Sequence, residues 1–177
     1  MSANTSIKLL YILTVRFGTN GITAFVMNAW RHLDHGRFAA DFVLPNDPPE
    51  AVRQEIEHAG GRVYVLPGRN RRPLAYRRAL TRLIRENGYD IVHAHGNSRT
   101  MAVEMAAARA GGARVRMPHS HNTTCNQKLL NRLLRPAFER DYTHALACGR
   151  AAGEWLYGEK PFTIVQNAID TAAFRFD

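Results

Sequence analysis

Short apolar runs rich in β-branched and aromatic residues alternate along this chain with amphipathic patterns of about a dozen residues, and that alternation leaves few folds open. Ile7-Lys8-Leu9-Leu10-Tyr11-Ile12-Leu13 reads as a strand that stops at the turn-forming Phe17-Gly18-Thr19-Asn20-Gly21. Ile22, Phe25, Val26, Ala29 and Leu33 then recur at helical spacing, with Asn28, Arg31 and His32 on the other side. The pattern predicts further strands over 41–44, 62–66, 90–94, 114–118, 143–147 and 162–165, and helices over 48–58, 99–109 and 151–157. Tyr76, Leu80, Leu83 and Ile84 mark another helix, with Arg78, Arg82 and Arg85 opposite and Asn87-Gly88 closing it. Residues 128–140 form one more amphipathic stretch. Strand–helix–strand units of this length join as right-handed crossovers. The expected fold class is therefore α/β, a doubly wound, mainly parallel Rossmann-like sheet with helices on both faces. At 177 residues, 45% of them hydrophobic, the chain suffices for one core and is short for two, so a single domain over 1–177 is expected.

Charge is distributed unevenly. Lys and Arg number 24 against 15 Asp and Glu, a net +9. Residues 62–85 hold eight arginines and no acid, and residues 106–137 hold six basic residues and no acid. Such a surface either meets a polyanion, whether nucleic acid, nucleotide phosphate or anionic lipid, or is simply solvated by arginine. The longest apolar stretches, such as 9–15, fall short of the roughly 18 to 20 residues that a membrane span needs. Residues 1–6 are polar and lack the pattern of a secretory signal, so a cytoplasmic protein is expected. Cys125 and Cys148 are far apart and show no Cys-x-x-Cys spacing, the pattern of ordinary reduced thiols.

Ligands of doubly wound sheets gather where the strands end. After the first strand, Gly18-Thr19-Asn20-Gly21 opens a helix, a place for a phosphate or merely a tight turn. It matches neither the dinucleotide-binding nor the Walker pattern. The fourth strand ends in His93-Ala94-His95-Gly96-Asn97 and the fifth in His119-Ser120-His121-Asn122-Thr123. Residues i and i+2 share a face, so each histidine pair has the spacing to chelate a metal, to exchange protons with a substrate, or to pack. His93 reads best as a packed strand residue. His119 and His121, followed by polar residues, read as functional. The acid-free stretch after Ala106 offers no carboxylate to complete such a site, so no metal is expected.

With these residues in place, the sequence resembles the N-terminal domain of family-4 retaining glycosyltransferases, in particular the branch that builds capsule and exopolysaccharide. Carrying the resemblance are Asn20-Gly21-Ile22, Met27-Asn28, Asp41-Phe42, the run from Tyr89 to His95, the run from Arg116 to Thr123, Ala147-Cys148-Gly149, Trp155-Leu156-Tyr157-Gly158 and Asn167-Ala168-Ile169-Asp170. Each is weak alone; their order and spacing are specific. The resemblance implies one half of a two-domain GT-B enzyme that takes a sugar from a nucleotide-sugar, with UDP the expected nucleotide, and passes it to a saccharide or lipid-linked acceptor. It implies no cofactor and no metal, with His119 as the catalytic residue beside the transferred sugar. Substrate contacts are implied for Asn20, Gly21, His95, Gly96, Asn97, Ser120, His121 and Asn122. The chain ends at Phe174-Arg175-Phe176-Asp177, where such enzymes cross to their nucleotide-sugar domain, so the C-terminal domain is expected to be the missing partner and this half alone to be inactive.

Two positions depart from the family pattern. The first loop has Asn20 where a glycine pair would begin and Thr23 near the usual glutamate, and Gly149 follows Cys148 where serine is common. Because acceptors of this branch are lipid-linked, residues 128–140 suggest peripheral attachment to an anionic membrane at its cytoplasmic face. In that reading Arg132 and Arg135 face lipid, while the leucines are expected to pack on the sheet. Two other classes share parts of the pattern. A basic nucleic-acid-binding module would interleave stacking aromatics with its arginines, and only Tyr64 and Tyr76 lie in the arginine-rich segment, so no nucleic acid is expected. An oxidoreductase half would need a third loop glycine and an acid after strand two, where Leu44-Pro45-Asn46 stands.

Overall fold

The computed structural model describes residues 6–168; Ile169, Asp170 and the terminal Phe174-Arg175-Phe176-Asp177 lie outside them. Within that span the strands are β1 (Ile7–Leu13), β2 (Phe38–Leu44), β3 (Val63–Val65), β4 (Ile91–Gly96), β5 (Val115–Ser120), β6 (Leu146–Ala147) and β7 (Thr163–Ile164). Every pairing is parallel and the order is β3-β2-β1-β4-β5-β6-β7. This is the doubly wound arrangement, with the order reversing between β1 and β4. At that reversal the crossovers leave on opposite faces and open a crevice at the strand ends.

The helices are α1 (Gly21–Arg31), α2 (Glu50–His58), α3 (Pro73–Asn87), α4 (Ala102–Gly111), α5 (Lys128–Leu133), α6 (Arg135–Asp141) and α7 (Arg150–Tyr157), with a single 3-10 turn, Arg99–Met101, leading into α4. Alternating residues of β1 divide the core. Leu9, Tyr11 and Leu13 join Phe42, Leu44, Ile56 and the buried side of α1 on one face. Leu10 and Ile12 join Leu80, Ile84, Met105, Phe138, Leu156 and Tyr157 on the other. Local chemistry sets the boundaries. Gly88 ends α3 at φ 64°, in the left-handed region where glycine costs least, and Pro73 supplies the fixed φ of its first turn.

The amphipathic stretch over 128–140 is divided at its proline into two short helices meeting at Leu134, because Pro136 has no N–H to carry the ladder through and falls in the first turn of α6. Two sequence expectations change. The strands expected over 143–147 and 162–165 shorten to two residues each at the sheet edge. The leucines of α5 do not pack on the sheet: Leu129, Leu130 and Leu133 are 70%, 48% and 64% exposed. Asn131 is the buried residue of that helix, and its Oδ1 accepts the backbone N–H of Arg99 at 2.7 Å. Asn131 alone anchors α5 to the protein, and the leucines face out together with Lys128 and Arg132. Among the described residues no helix is long and apolar enough to cross a membrane.

Candidate functional site

The crevice at the β1–β4 reversal has a volume of about 440 Å³ and is lined by Val15, Arg16, Asn20, Gly21, Ile22, Asn97, His121, Asn122 and Asn167. Its floor is the start of α1. Asn20 is the N-cap, with extended backbone (φ −150°), and its Oδ1 accepts the Thr23 N–H at 3.0 Å while its Nδ2 donates to the Arg16 carbonyl at 2.9 Å. The departure at this position therefore has a reason. No left-handed conformation is required, and an asparagine side chain can hold the loop closed as a cap, which glycine cannot. The Gly21 and Ile22 N–H groups have no partner among the described residues, no acid stands in the first turn, and Arg16 is exposed beside them. An anion placed there meets two free donors, the positive end of α1 and a guanidinium. Asn46 braces the loop: its Oδ1 accepts the Phe17 N–H at 2.9 Å and its Nδ2 donates to the Phe17 carbonyl at 3.2 Å. The sequence assigns no ligand role to Arg16 or Asn46, and Asn167 enters only through the motif Asn167-Ala168-Ile169-Asp170. A lone arginine after a strand and a loop asparagine carry no spacing signal that would mark them.

Four imidazoles are grouped at this end of the sheet, and one of them, His121, lines the crevice. His93 and His95 on β4 and His119 on β5 lie under α1 together with His121, one residue past the end of β5. His93 Nε2 and His119 Nδ1 are 3.2 Å apart in nearly parallel rings, and His95 Nδ1 and His121 Nε2 are 2.9 Å apart. One hydrogen-bonded pair stacks on the other, with ring centroids 4.0 Å apart for His93 and His95 and 4.2 Å for His119 and His121. Phe25 of α1 closes the group edge-on at 4.9 Å from His119. Burial, and behind it the repulsion of a neighbouring imidazolium, pushes the His119 pKa down to about 2 and that of His93 to about 3; burial alone takes His121 to about 4. His95 is held well below the usual range for the same leading reason. All four are neutral at pH 7.

Their tautomers follow from what is left unpaired. His95 Nε2 and His119 Nε2 are enclosed with no protein partner among the described residues. A buried N–H without an acceptor is costlier than a bare lone pair. We therefore assign the protons of both rings to Nδ1. His119 then donates to His93, and His95 donates to His121. That leaves His121 with its own proton on Nδ1, a neutral donor on the imidazole that lines the crevice.

The residues expected to act thus fall into two groups. Asn20, Gly21, Asn97, His121 and Asn122 line the crevice. His119, His95, Gly96 and Ser120 do not. His119, His95 and Ser120 are 0% exposed, and a Cβ on Gly96 would stand 2.5 Å from Thr14 Oγ1 and 2.9 Å from Met101 Sδ. Gly96 is a close-packing glycine, and its place at the strand end is structural. His119 lies one layer below the crevice because β5 continues through Ser120, so its side chain stays covered by the sheet and α1. The crevice-facing imidazole is His121. Asn97 also lines the crevice, accepts the Trp155 indole N–H on its carbonyl at 3.0 Å, and keeps a buried Oδ1 without a protein partner among the described residues. Gly149 caps α7 in extended conformation with open space where a Cβ would stand, so serine would fit there and add a side-chain cap. Cys125 and Cys148 are free thiols. Of the membrane candidates, Arg132 is exposed, and Arg135 forms an ion pair with Glu139 at 2.7 Å.

Comparison with known proteins agrees with this architecture. A profile described as Glycosyltransferase Family 4 matches residues 19–173. EpsF of Bacillus subtilis strain 168, named as a glycosyltransferase, is 33% identical over an alignment that takes in 92% of this chain and 46% of EpsF. Among solved structures, Alr3699/HepE of Anabaena in complex with UDP superposes with a TM-score of 0.69 at 16% identity, covering 97% of this chain and 47% of that one. MurG of Acinetobacter baumannii gives 0.62 at 11% identity, covering 96% and 47%. At those identities the structures speak to the fold alone. The chain spans about half the length of the relatives it matches.

Proposed function

Because the chain belongs to Glycosyltransferase Family 4, we propose that it is the acceptor-side half of a retaining, UDP-sugar-dependent enzyme of capsule or exopolysaccharide synthesis, completed by a C-terminal nucleotide-sugar domain. The observation that carries this reading is the crevice at the β1–β4 reversal, where the free N–H groups of Gly21 and Ile22, the guanidinium of Arg16 and the imidazole of His121 converge. UDP in the HepE complex supports the choice of donor, and the glycosyltransferase EpsF supports the reaction class.

In this reading the donor diphosphate rests on the start of α1. Its departure develops negative charge, which preorganised N–H donors and Arg16 stabilise without reorganising. His121 is uncharged and donates through Nδ1–H, so its part is to hydrogen-bond the sugar or the departing phosphate, and it has no proton to lend as an acid at neutral pH. No metal takes part. The ring nitrogens of His93, His95 and His119 come within 4.8 Å of one another, but the nitrogens that face each other are already paired in two separate planes. A tetrahedral ion with bonds of about 2.0–2.1 Å would need their lone pairs to converge on one point. The saccharide or lipid-linked acceptor meets the donor at the same rim, and the enzyme works at the cytoplasmic face of the membrane. Exposed Leu129, Leu130 and Leu133 enter the interface there, flanked by Lys128 and Arg132.

The test is calorimetry of UDP and UDP-sugars against this chain and against the chain joined to its C-terminal domain. Weak binding to the former, tight binding to the latter and transfer only by the latter are expected. Sub-micromolar UDP affinity in the isolated chain would show that the base and ribose are held here and overturn the half-enzyme reading.

A further inference from the structure

A second cavity opens on the same rim of the sheet. It has a volume of about 710 Å³ and is lined by the segments that follow the first three strands, Thr14, Pro45 and residues 66–72, and by the first turns of α3. Its lining is divided. Leu66, Ala75, Tyr76 and Ala79 are apolar, while Arg69, Arg71 and Arg72 are cationic. The three arginines are not equivalent. Arg69 is nearly covered and forms a two-pronged pair with the fully buried Glu104, Nε to Oε1 at 2.7 Å and Nη2 to Oε2 at 2.9 Å, with Thr100 Oγ1 3.3 Å from the same Nη2. That pair anchors the loop to α4 and neutralises Arg69. The turn is held further by Gly68 at φ 85°, whose carbonyl accepts the N–H groups of Arg71 and Arg72 at 3.0 and 2.7 Å.

Arg71 and Arg72 are left over. Both are exposed, neither forms an ion pair among the described residues, and no acid occurs anywhere in 62–85. Arg72 is also the N-cap of the fifteen-residue α3, whose first turn has no side-chain cap and no acid. Two unpaired guanidiniums on a loop pinned by a buried ion pair, above an apolar floor, make a cavity that is cationic at its mouth and oily at its base.

Position adds the last step. Thr14 lines this cavity, and the next two residues, Val15 and Arg16, line the crevice. Thr14 is fixed to β4 by two bonds to the His95 carbonyl, from its N–H at 3.0 Å and its hydroxyl at 2.9 Å. One rigid residue separates the two sites. We propose that this cavity is the subsite for a phosphate group borne on an apolar stem, held by Arg71 and Arg72 with the stem against Leu66, Ala75 and Ala79, and that it selects a phosphorylated amphiphile as the acceptor. This rests on the glycosyltransferase reading and extends it from the donor to the group that anchors the acceptor.

The experiment is amide NMR of this chain titrated with hexyl phosphate, inorganic phosphate and hexyl glucoside, repeated on Arg71→Gln/Arg72→Gln. Hexyl phosphate is expected to shift the amides of Gly68, Arg71, Arg72, Ala75 and Ala79 and to bind at least tenfold more tightly than either other probe. The double variant is expected to lose at least tenfold of that affinity with its remaining spectrum unchanged. Equal binding of inorganic phosphate would overturn the amphiphile, and equal binding of hexyl glucoside would overturn the charge recognition. Shifts confined to Arg77, Arg82 and Arg85, or indifferent to the double variant, would reduce the site to general screening by α3. Failure here with UDP still shifting Gly21 and His121 sinks the subsite alone. A subsite that binds in a full-length enzyme that transfers no sugar sinks the broader reading.

Discussion

On the sheet face covered by α3, α4, α6 and α7, the interior is hydrophobic and tightly seated, with Leu80, Ile84, Met105, Ala108 and Phe138 fully buried and the charge pair Arg69–Glu104 beside it. On the face covered by α1 and α2, the hydrophobic core under β1 and β2 gives way under β4 and β5 to four neutral imidazoles. Both faces exclude water. They differ in what an error costs: the first is sensitive to volume and to an unmatched charge, and the second to protons. The polar core lies on the side that reaches the crevice, so His121 lines the crevice while the other imidazoles lie behind it.

Removing half of the Arg69–Glu104 pair, the ion pair with both partners covered among the described residues, is the largest expected effect. Glu104→Ala leaves Arg69 without its partner in a nearly closed site and should destabilise the fold by roughly 3–5 kcal/mol, whereas Arg69→Met/Glu104→Leu should recover most of the loss. Urea denaturation of both variants checks this. A double variant as unstable as the single would mean that packing of α4, and not the charge, sets the cost.

The imidazole face should show its effects in catalysis. In the enzyme completed by its second domain, His121→Ala is expected to lower kcat by about 100-fold or more, the usual loss when one preorganised donor at a reacting centre is removed. His119→Ala and His93→Ala should lower stability more than turnover. Steady-state kinetics beside thermal unfolding separates these outcomes, and a His119→Ala enzyme that is stable and inactive would return the catalytic role to the buried ring.

That exchange of roles shows what the sequence could disclose. Spacing of i and i+2 placed His119 and His121 on one face, and the parallel α/β order followed from alternation alone, because both rest on local geometry. Which histidine faces the crevice depends on where β5 ends, and it ends at Ser120, two residues past the strand expected from the apolar run. Gly96 looked like a ligand glycine because it follows a strand, and only Thr14 and Met101, distant in sequence, show that it is a packing glycine. Likewise the amphipathic pattern of 128–140 was legible, but a pattern does not say whether its apolar side meets a core or the outside.

Acid should separate the faces more gently. The folded pKa values near 3, 2 and 4 for His93, His119 and His121 lie below the ordinary 6.5, so the unfolded chain takes up protons that the native one refuses. Stability is therefore complete above about pH 6.5 and falls as pH drops toward 4, by about 2 kcal/mol at pH 5 for His119 alone. Replacing His93 and His119 by leucine should flatten the profile over that window, as read from urea midpoints at several pH values. An unchanged slope would assign the acid sensitivity to carboxylates such as the half-buried Asp90 and the buried Asp141, which are held below their usual range first by hydrogen bonds, from the Lys8 N–H and from Arg140 respectively.

The smallest effect is a single proton's position. His95 Nε2 is enclosed and unpartnered among the described residues, so its proton is assigned to Nδ1, where it reaches His121 Nε2 at 2.9 Å. His121 is thereby obliged to accept on Nε2 and to keep its proton on Nδ1. Two-bond nitrogen–proton spectra of the chain labelled with ¹⁵N at histidine report this directly, because protonated and bare ring nitrogens differ widely in shift. The expected pattern at pH 7 is an Nδ1–H tautomer for His95, His119 and His121. His95→Leu should release His121 from that constraint and let the Nε2–H form appear, with a modest loss in the urea midpoint, since the leucine fills the space but leaves the half-buried His121 Nε2 without its protein partner. A wild-type His121 protonated on Nε2 would mean that the ladder runs the other way, with His121 donating inward and offering the crevice a lone pair. That outcome would turn the imidazole from a donor for the departing phosphate into an acceptor for the hydroxyl that attacks.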